Sequence, residues 1–227
     1  MDPKRQPLDP RDTIVRQSFR RVSHYDRSLP ADLASLVCDN PASLVRLGEP
    51  LQTGAARRTV RLEWNSQPFV LKHYAEHTRR HTIKQLVLPS RAKRTWDFAH
   101  RLVAAGIATP RPVACVENRL GPLRRDSFLM YPFIDGRTLQ NCIAEDAKRS
   151  PAIREQLWQQ IHDVWQRLVD LRISLGDTNL ANFIVCPTGE LWLIDLDKSR
   201  VHRRRSAAAP HQQRAWEKLV RGAEYYD

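Results

Sequence analysis

The stretch from Leu175 to Asp197 constrains this chain more than any other. It opens as Leu175-Gly176-Asp177-Thr178-Asn179-Leu180-Ala181-Asn182 and continues through the apolar run Phe183-Ile184-Val185. It then turns at Pro187-Thr188-Gly189 and returns through Leu191-Trp192-Leu193-Ile194 to Asp195-Leu196-Asp197. Two short apolar runs separated by Pro and Gly read as a hairpin. A hairpin brings its ends together, so Asn182 and Asp195 can point into one small volume with Asp177 beside them. Polar groups flanking an apolar hairpin give no packing benefit, which points to chemistry. A carboxylate with an amide oxygen is a hard-oxygen set suited to Mg²⁺, which takes few protein ligands. A separate carboxylate can orient an attacking hydroxyl and accept its proton. Asp195 and Asp197 both remain open as the metal carboxylate; Asp195 is favoured because it directly follows the apolar strand.

The elements around this segment alternate between sheet and helix signals. Val60, Leu62 and Trp64 alternate with Arg61 and Glu63, Asn65-Ser66-Gln67-Pro68 supplies a turn, and Phe69–Tyr74 reads as the returning strand. Helical spacing follows over residues 90–105, with Ser90 as N-cap, Ala92, Trp96, Ala99 and Val103 on one face, and Gly106 as the stop. A second hairpin is expected from Val113–Glu117 and Ser127–Ile134 across Gly121-Pro122, and then a short helix capped by Thr138 and running to about Ala147. The clearest helix covers about 151–171, where Ile153, Leu157, Ile161, Val164, Leu168 and Leu171 form a stripe. Beyond Asp197 come a basic run from Arg200 to Arg205, an Ala/Pro spacer and a helix over about Gln212–Gly222. The expected division is an N-terminal extension over 1–40 with a short helix near Ala31–Val37, a first lobe over 41–134, and a second lobe with a basic tail over 135–227.

Charge and cysteine usage narrow the partners and the setting. Among 227 residues, 37 Lys and Arg against 25 Asp and Glu leave a formal charge of +12. Such a field attracts polyanions: nucleic acid, an anionic membrane surface or a phosphorylated substrate. Clusters such as Arg79-Arg80-His81, Arg91-Lys93-Arg94 and Arg203-Arg204-Arg205 carry much of that charge. No aromatic-interleaved basic motif of the RNA-binding modules accompanies them, which argues against nucleic acid. The four cysteines are far apart and form no CxxC pair, so reduced thiols are expected rather than disulfides or zinc. His73, His77, His100 and His162 lack metal-ligand spacing. No apolar run reaches the roughly 18–20 residues of a membrane span, and the first residues show no secretory pattern. A cytoplasmic protein is the expectation.

The run G-D-x-x-x-x-N, an apolar hairpin and I-D-x-D together resemble the catalytic loop and metal-binding Asp of the protein-kinase-like fold. Three stretches are similar, more narrowly, to the lipopolysaccharide core kinases, which act on Kdo and heptose sugars. They are Pro89-Ser90-Arg91-Ala92-Lys93-Arg94-Thr95-Trp96, Ala105-Gly106-Ile107-Ala108-Thr109-Pro110-Arg111-Pro112 and Leu193-Ile194-Asp195-Leu196-Asp197-Lys198-Ser199-Arg200. The resemblance covers about residues 45–200. It implies an α+β, two-lobed kinase-like fold with a mostly antiparallel first-lobe sheet and a reduced helical second lobe. It makes Asp177 the catalytic base, Asn182 and Asp195 the Mg²⁺ ligands, and Lys72 the holder of the ATP α- and β-phosphates. Met130-Tyr131-Pro132-Phe133-Ile134-Asp135-Gly136 matches the hinge, where backbone groups of Pro132 and Ile134 would meet adenine. The implied acceptor is an anionic glycolipid or sugar, reached in peripheral contact with the cytoplasmic face of an anionic membrane.

Several positions depart from that pattern. Leu175 stands where His or Tyr is usual, Gly176 replaces the Arg of kinases switched by activation-loop phosphorylation, and Leu196-Asp197 replaces Phe-Gly. Between Leu51 and Val60 only Gly54 remains of a glycine-rich loop, and Asp97 is the only carboxylate on its helix to partner Lys72. Two other readings therefore stand beside the sugar kinase. One is a kinase of a protein or small molecule; the other is a catalytically weak kinase-like binding module.

Overall fold

The computed structural model describes residues 12–54, 57–75, 89–121, 123–147 and 150–224. The chain forms two compact units, residues 1–101 with 110–133 and residues 102–109 with 134–227. The basic cluster Arg79-Arg80-His81 lies outside the described residues, as does His77.

The first unit is built on a seven-stranded antiparallel sheet. Its strands are β1 (Thr13–Gln17), β2 (Arg21–Asp26), β3 (Glu49–Thr53), β4 (Arg57–Trp64), β5 (Gln67–Tyr74), β6 (Ala114–Leu120) and β7 (Leu123–Pro132), in spatial order β1-β2-β6-β7-β5-β4-β3. Residues 12–40, read from the sequence as an extension, supply β1, β2 and helix α1 (Ala31–Asp39). β1 is mostly exposed at the sheet edge, which is why its sequence lacks clustered apolar residues. The β4–β5 hairpin pairs over its full length, from Trp64↔Gln67 to Arg57↔Tyr74. Asn65 and Ser66 both take positive φ at its turn, the backbone that matches strand twist in two-residue hairpins.

Period-2 alternation sorts the sheet's side chains. Leu71, Val116, Phe128 and Met130 join Leu33, Val37 and Leu44 of α1 and α2 (Pro41–Leu47) in one core. The opposite face carries Tyr74, Cys115 and Leu129, packed on Ala92 and Trp96 of α3 (Arg91–Ala104). Ser90 caps α3, its hydroxyl accepting from the Lys93 N–H at 3.0 Å. The buried Glu117 carboxylate accepts from the Ser90 N–H at 3.1 Å and from Arg119 at 2.8 Å. Burial pushes its pKa up, but the hydrogen bonds from Ser90 and Arg119 outweigh this and hold the acid below its ordinary range. A second buried ion pair joins Arg111 to Asp26.

The second unit holds the long helix α5 (Pro151–Asp170), with Leu157, Ile161, Trp165 and Leu168 buried. The buried stripe runs through Trp165 where the sequence pattern suggested Val164. Ahead of it, Thr138 caps α4 (Leu139–Cys142), which passes into a π-helical turn over Ile143–Ala147. A three-stranded sheet follows in order β11-β10-β8, from β8 (Arg137–Thr138), β10 (Phe183–Val185) and β11 (Leu191–Leu193). Two-residue strands β9 (Ile173–Ser174) and β12 (Arg200–Val201) pair with each other. The chain then enters α6 (Arg205–Glu224), so the Ala/Pro stretch expected to be a spacer is helical through Pro210. Ala208, Gln212, Ala215 and Leu219 are buried along it, and that apolar face carries the helix across its proline.

Candidate active site

Asp177, Asn182 and Asp195 all belong to the second unit, and hydrogen bonds of Asn182 link Asp177 to Ile194, the residue before Asp195. After β9 the chain turns at Gly176 and Asp177, then forms a 3₁₀ turn over Leu180–Asn182. Asn179 accepts from the Ala181 N–H at 3.1 Å, capping that turn with its own side chain. Asn182 donates from Nδ2 to the Asp177 carbonyl at 2.9 Å, closing the loop. The Asn182 carbonyl in turn accepts from the Ile194 N–H at 2.8 Å, one step beyond the pair Phe183↔Leu193. Asp195 is the next residue, so one run of contacts connects the loop, the hairpin mouth and the acid.

The hairpin is only three residue pairs long and is held from outside. Leu193 donates its N–H to the Ala108 carbonyl at 2.8 Å, and Thr109 Oγ1 donates to the Leu193 carbonyl at 2.7 Å. Gln160 of α5 donates to the Gly189 carbonyl and accepts from the Leu191 N–H, both at 2.9 Å. On the other edge β8 pairs with β10 through Ile184↔Thr138. Thr109 and Gln160 were not legible as site residues from the sequence; the only signal was the placement of Thr109 within the stretch Ala105–Pro112.

Asp195 adopts φ +57°, a left-handed conformation that costs a non-glycine residue roughly 1–2 kcal/mol. That bend buries Leu196 and sends the chain back along β9. Lys198 then passes so close to Gly176 that a Cβ there would collide with the Lys198 Cβ and carbonyl. The glycine at the position of the usual Arg is thus demanded by close backbone approach. Further along, Ser174 Oγ bonds His202 Nε2 at 2.7 Å, and Arg172 donates to the Arg203 carbonyl at 2.8 Å. The segment after Asp195 is fastened to the loop rather than left as a long separate arm.

The donor set fits a small hard cation. With Asn182 Nδ2 directed to a carbonyl, the amide oxygen is the atom left to ligate, and Asp195 supplies a carboxylate. Among the described residues no group of three or more His, Cys, Asp or Glu is arranged to hold a metal ion. Asp177 is half-exposed and accepts from Lys218 Nζ at 2.8 Å.

The other expected site residues sit as follows. Lys72 is buried in β5, opposite Thr59 and Leu129, with Nζ 5.7 Å from the Tyr131 ring centre. Pro132 ends β7 and Ile134 follows it, both half-buried, while the Phe133 N–H between them donates to the Pro68 carbonyl. Asp97, the acid suggested for Lys72, instead lies 2.5 Å from Lys93, one helical turn away. An i,i+4 partner on its own helix is simply the nearest cation. Of the cysteines, Cys38, Cys115 and Cys142 are buried and Cys186 is half-buried.

The antiparallel sheet of the first unit and the helices and small sheet of the second make this an α+β protein. Comparison with known sequences gives the family: the Lipopolysaccharide kinase (Kdo/WaaP) family matches residues 39–224, and the chain belongs to it. A 3-deoxy-D-manno-octulosonic acid kinase of Xylella fastidiosa (strain M12) is 29% identical over 97 residues, 43% of this chain and 36% of that protein. Lipopolysaccharide core heptose(I) kinase WaaP of Escherichia coli is 31% identical over 112 residues, 47% of this chain and 42% of that protein. The matched segments thus span about two-fifths of these curated relatives. Among solved structures, the bifunctional kinase-methyltransferase WbdD aligns over 65% of this chain and 30% of its own, at TM-score 0.44 and 18% identity.

Proposed function

We propose that the protein is an ATP-dependent kinase that phosphorylates a sugar hydroxyl of the lipopolysaccharide inner core. The observation that carries this reading is the Asn182 bridge, which joins the Asp177 carbonyl to the strand leading into Asp195. Family membership supplies the substrate class, since its curated relatives are named for Kdo and heptose kinases.

Asp177 would meet the acceptor hydroxyl and take its proton as the oxygen attacks the γ-phosphorus. The new O–P bond forms while the bond to the β–γ bridging oxygen breaks, and ADP leaves with that electron pair. Mg²⁺, when bound at Asn182 and Asp195, would neutralise charge on the phosphates. Lys72 would hold the α- and β-phosphates, and backbone groups of Pro132 and Ile134 would meet adenine. The exposed Arg203, Arg204 and Arg205 suit a phosphorylated, acidic acceptor or an anionic bilayer. Attachment of that kind fades with salt; among the described residues no helix is long and apolar enough to cross a membrane.

The test is transfer from radiolabelled ATP to extracted lipopolysaccharide, to a generic protein and to no acceptor. Label in lipopolysaccharide that needs Mg²⁺ supports the proposal. Label in protein alone favours the broader kinase reading, and nucleotide binding without any transfer favours a kinase-like binding module.

A further inference from the structure

The loop Leu175–Asn182 contains no Lys or Arg, so no cation from the loop itself can steady the Asp177 carboxylate. The structure provides one from elsewhere in the same unit. Lys218 Nζ of α6 lies 2.8 Å from Asp177 Oδ1, 41 residues along the chain. The contact is set by the packing of the helix rather than by two mobile surface side chains meeting. Leu219, next to Lys218, is fully buried, and Ala215 and Ala223 on the same face are buried. Gln212 donates from Nε2 to the carbonyls of Leu168 and Ile173, at 3.2 and 2.8 Å, fastening α6 to the end of α5 and to β9. Trp216 packs on Trp165 with ring centres 5.2 Å apart. One turn beyond Lys218, a Cβ at Gly222 would lie 3.9 Å from Leu180. The helix therefore runs beside the loop, with position 218 at Asp177 and position 222 at Leu180.

We propose that Lys218 is a positioning residue for phosphoryl transfer, an inference that rests on the reading of Asp177 as the base. Asn182 fixes the main chain of Asp177, and Lys218 fixes its side chain by engaging Oδ1. Oδ2 is then presented to the acceptor hydroxyl. An orientation held before the acceptor arrives lowers the barrier without adding affinity for ATP. The pair is half-exposed on both sides, so its contribution to folding is small and its effect belongs in turnover.

The experiment compares Lys218→Met, Lys218→Arg, Asp177→Asn and the double variant Asp177→Asn/Lys218→Met, using radiolabelled ATP and extracted lipopolysaccharide. Lys218→Met should lower kcat by about tenfold or more, with KM for ATP within about twofold and an unchanged Tm. Lys218→Arg should recover most of the lost rate. In the Asp177→Asn background, Lys218→Met should have no further effect, because both changes act through one carboxylate. An unchanged kcat in Lys218→Met overturns the inference, and so does a full additional loss in the double variant. If Asp177→Asn itself keeps the parent rate, the reading of Asp177 as base fails and the inference falls with it. If the unaltered protein transfers nothing, the proposed function fails.

Discussion

The hairpins β4–β5 and β10–β11 differ in what holds them. β4–β5 pairs from Trp64↔Gln67 to Arg57↔Tyr74 and is central enough to gain neighbours on both sides, β3 and β7. Its apolar residues enter a continuous core. β10–β11 pairs only from Phe183↔Leu193 to Val185↔Leu191 and depends on Ala108, Thr109 and Gln160 to stay closed. The contrast teaches that the hairpin with the weaker intrinsic pairing is the one that carries polar chemistry at its mouth. Changes there should reach activity before they reach global stability, and changes in β4–β5 should do the reverse.

The sharpest break comes at Asp195. Asp195→Asn should remove Mg²⁺-dependent nucleotide binding, and Asp197→Asn should leave most of it; calorimetry with Mg²⁺ and a non-hydrolysable ATP analogue ranks them. The reverse ranking would assign the metal to Asp197. Gly176→Ala comes next, since its Cβ would displace Lys198, at a cost of about 1–3 kcal/mol and most of the transfer rate. Gly54→Ala after β3 is the control: among the described residues its Cβ would meet only the Arg57 carbonyl, at 3.4 Å, so denaturation should show little change. Gln160→Ala removes both clamps on the small hairpin, leaving the Leu191 N–H and the Gly189 carbonyl without this partner. About 1–3 kcal/mol should be lost by chemical denaturation, with a larger fractional fall in kcat than an equally destabilising change in β4 produces.

The smallest effect is a pH dependence in the sheet unit. Burial lowers the pKa of His24 and of His100; the neighbouring Lys93 adds to the shift at His24, while the Trp96 carbonyl partly opposes it at His100. His100 Nδ1 donates to that carbonyl at 2.8 Å, and its Nε2 is buried with no hydrogen-bond partner among the described residues. The fold therefore disfavours the protonated form of both imidazoles. As pH falls through the ordinary histidine value of 6.5, the unfolded chain takes up protons more readily than the folded chain, so stability drops. Denaturation midpoints at about pH 7.5 and about pH 5.5 should show this loss, and His100→Gln should reduce it.

The same contrast explains how far the sequence could be read. β4, β5 and the hairpin Phe183–Leu193 were legible because period-2 apolar runs bounded by turn residues need no distant partner to recognise. Asp177, Asn182 and Asp195 were legible as a group because their spacing places them at one hairpin mouth. β1 escaped because an exposed edge strand such as Thr13–Gln17 has little apolar signal, and β2 because two of its buried positions are the polar Ser23 and Asp26. The helical stretch Ser206–Pro210 escaped because a proline normally ends a helix, and only the tertiary burial of Ala208 and Gln212 overrides that. Gln160, Thr109 and Lys218 act through contacts 29 to 84 residues away, and no local pattern encodes them.

The central claim is that Asp177 activates an acceptor hydroxyl rather than serving the loop's structure. The most direct measurement pairs calorimetric binding of Mg²⁺ with an ATP analogue and label transfer from ATP to extracted lipopolysaccharide, for the parent and Asp177→Ala. The account predicts nucleotide binding close to the parent and transfer reduced by about 100-fold or more. Transfer within about threefold of the parent, or nucleotide binding lost together with transfer, would contradict it.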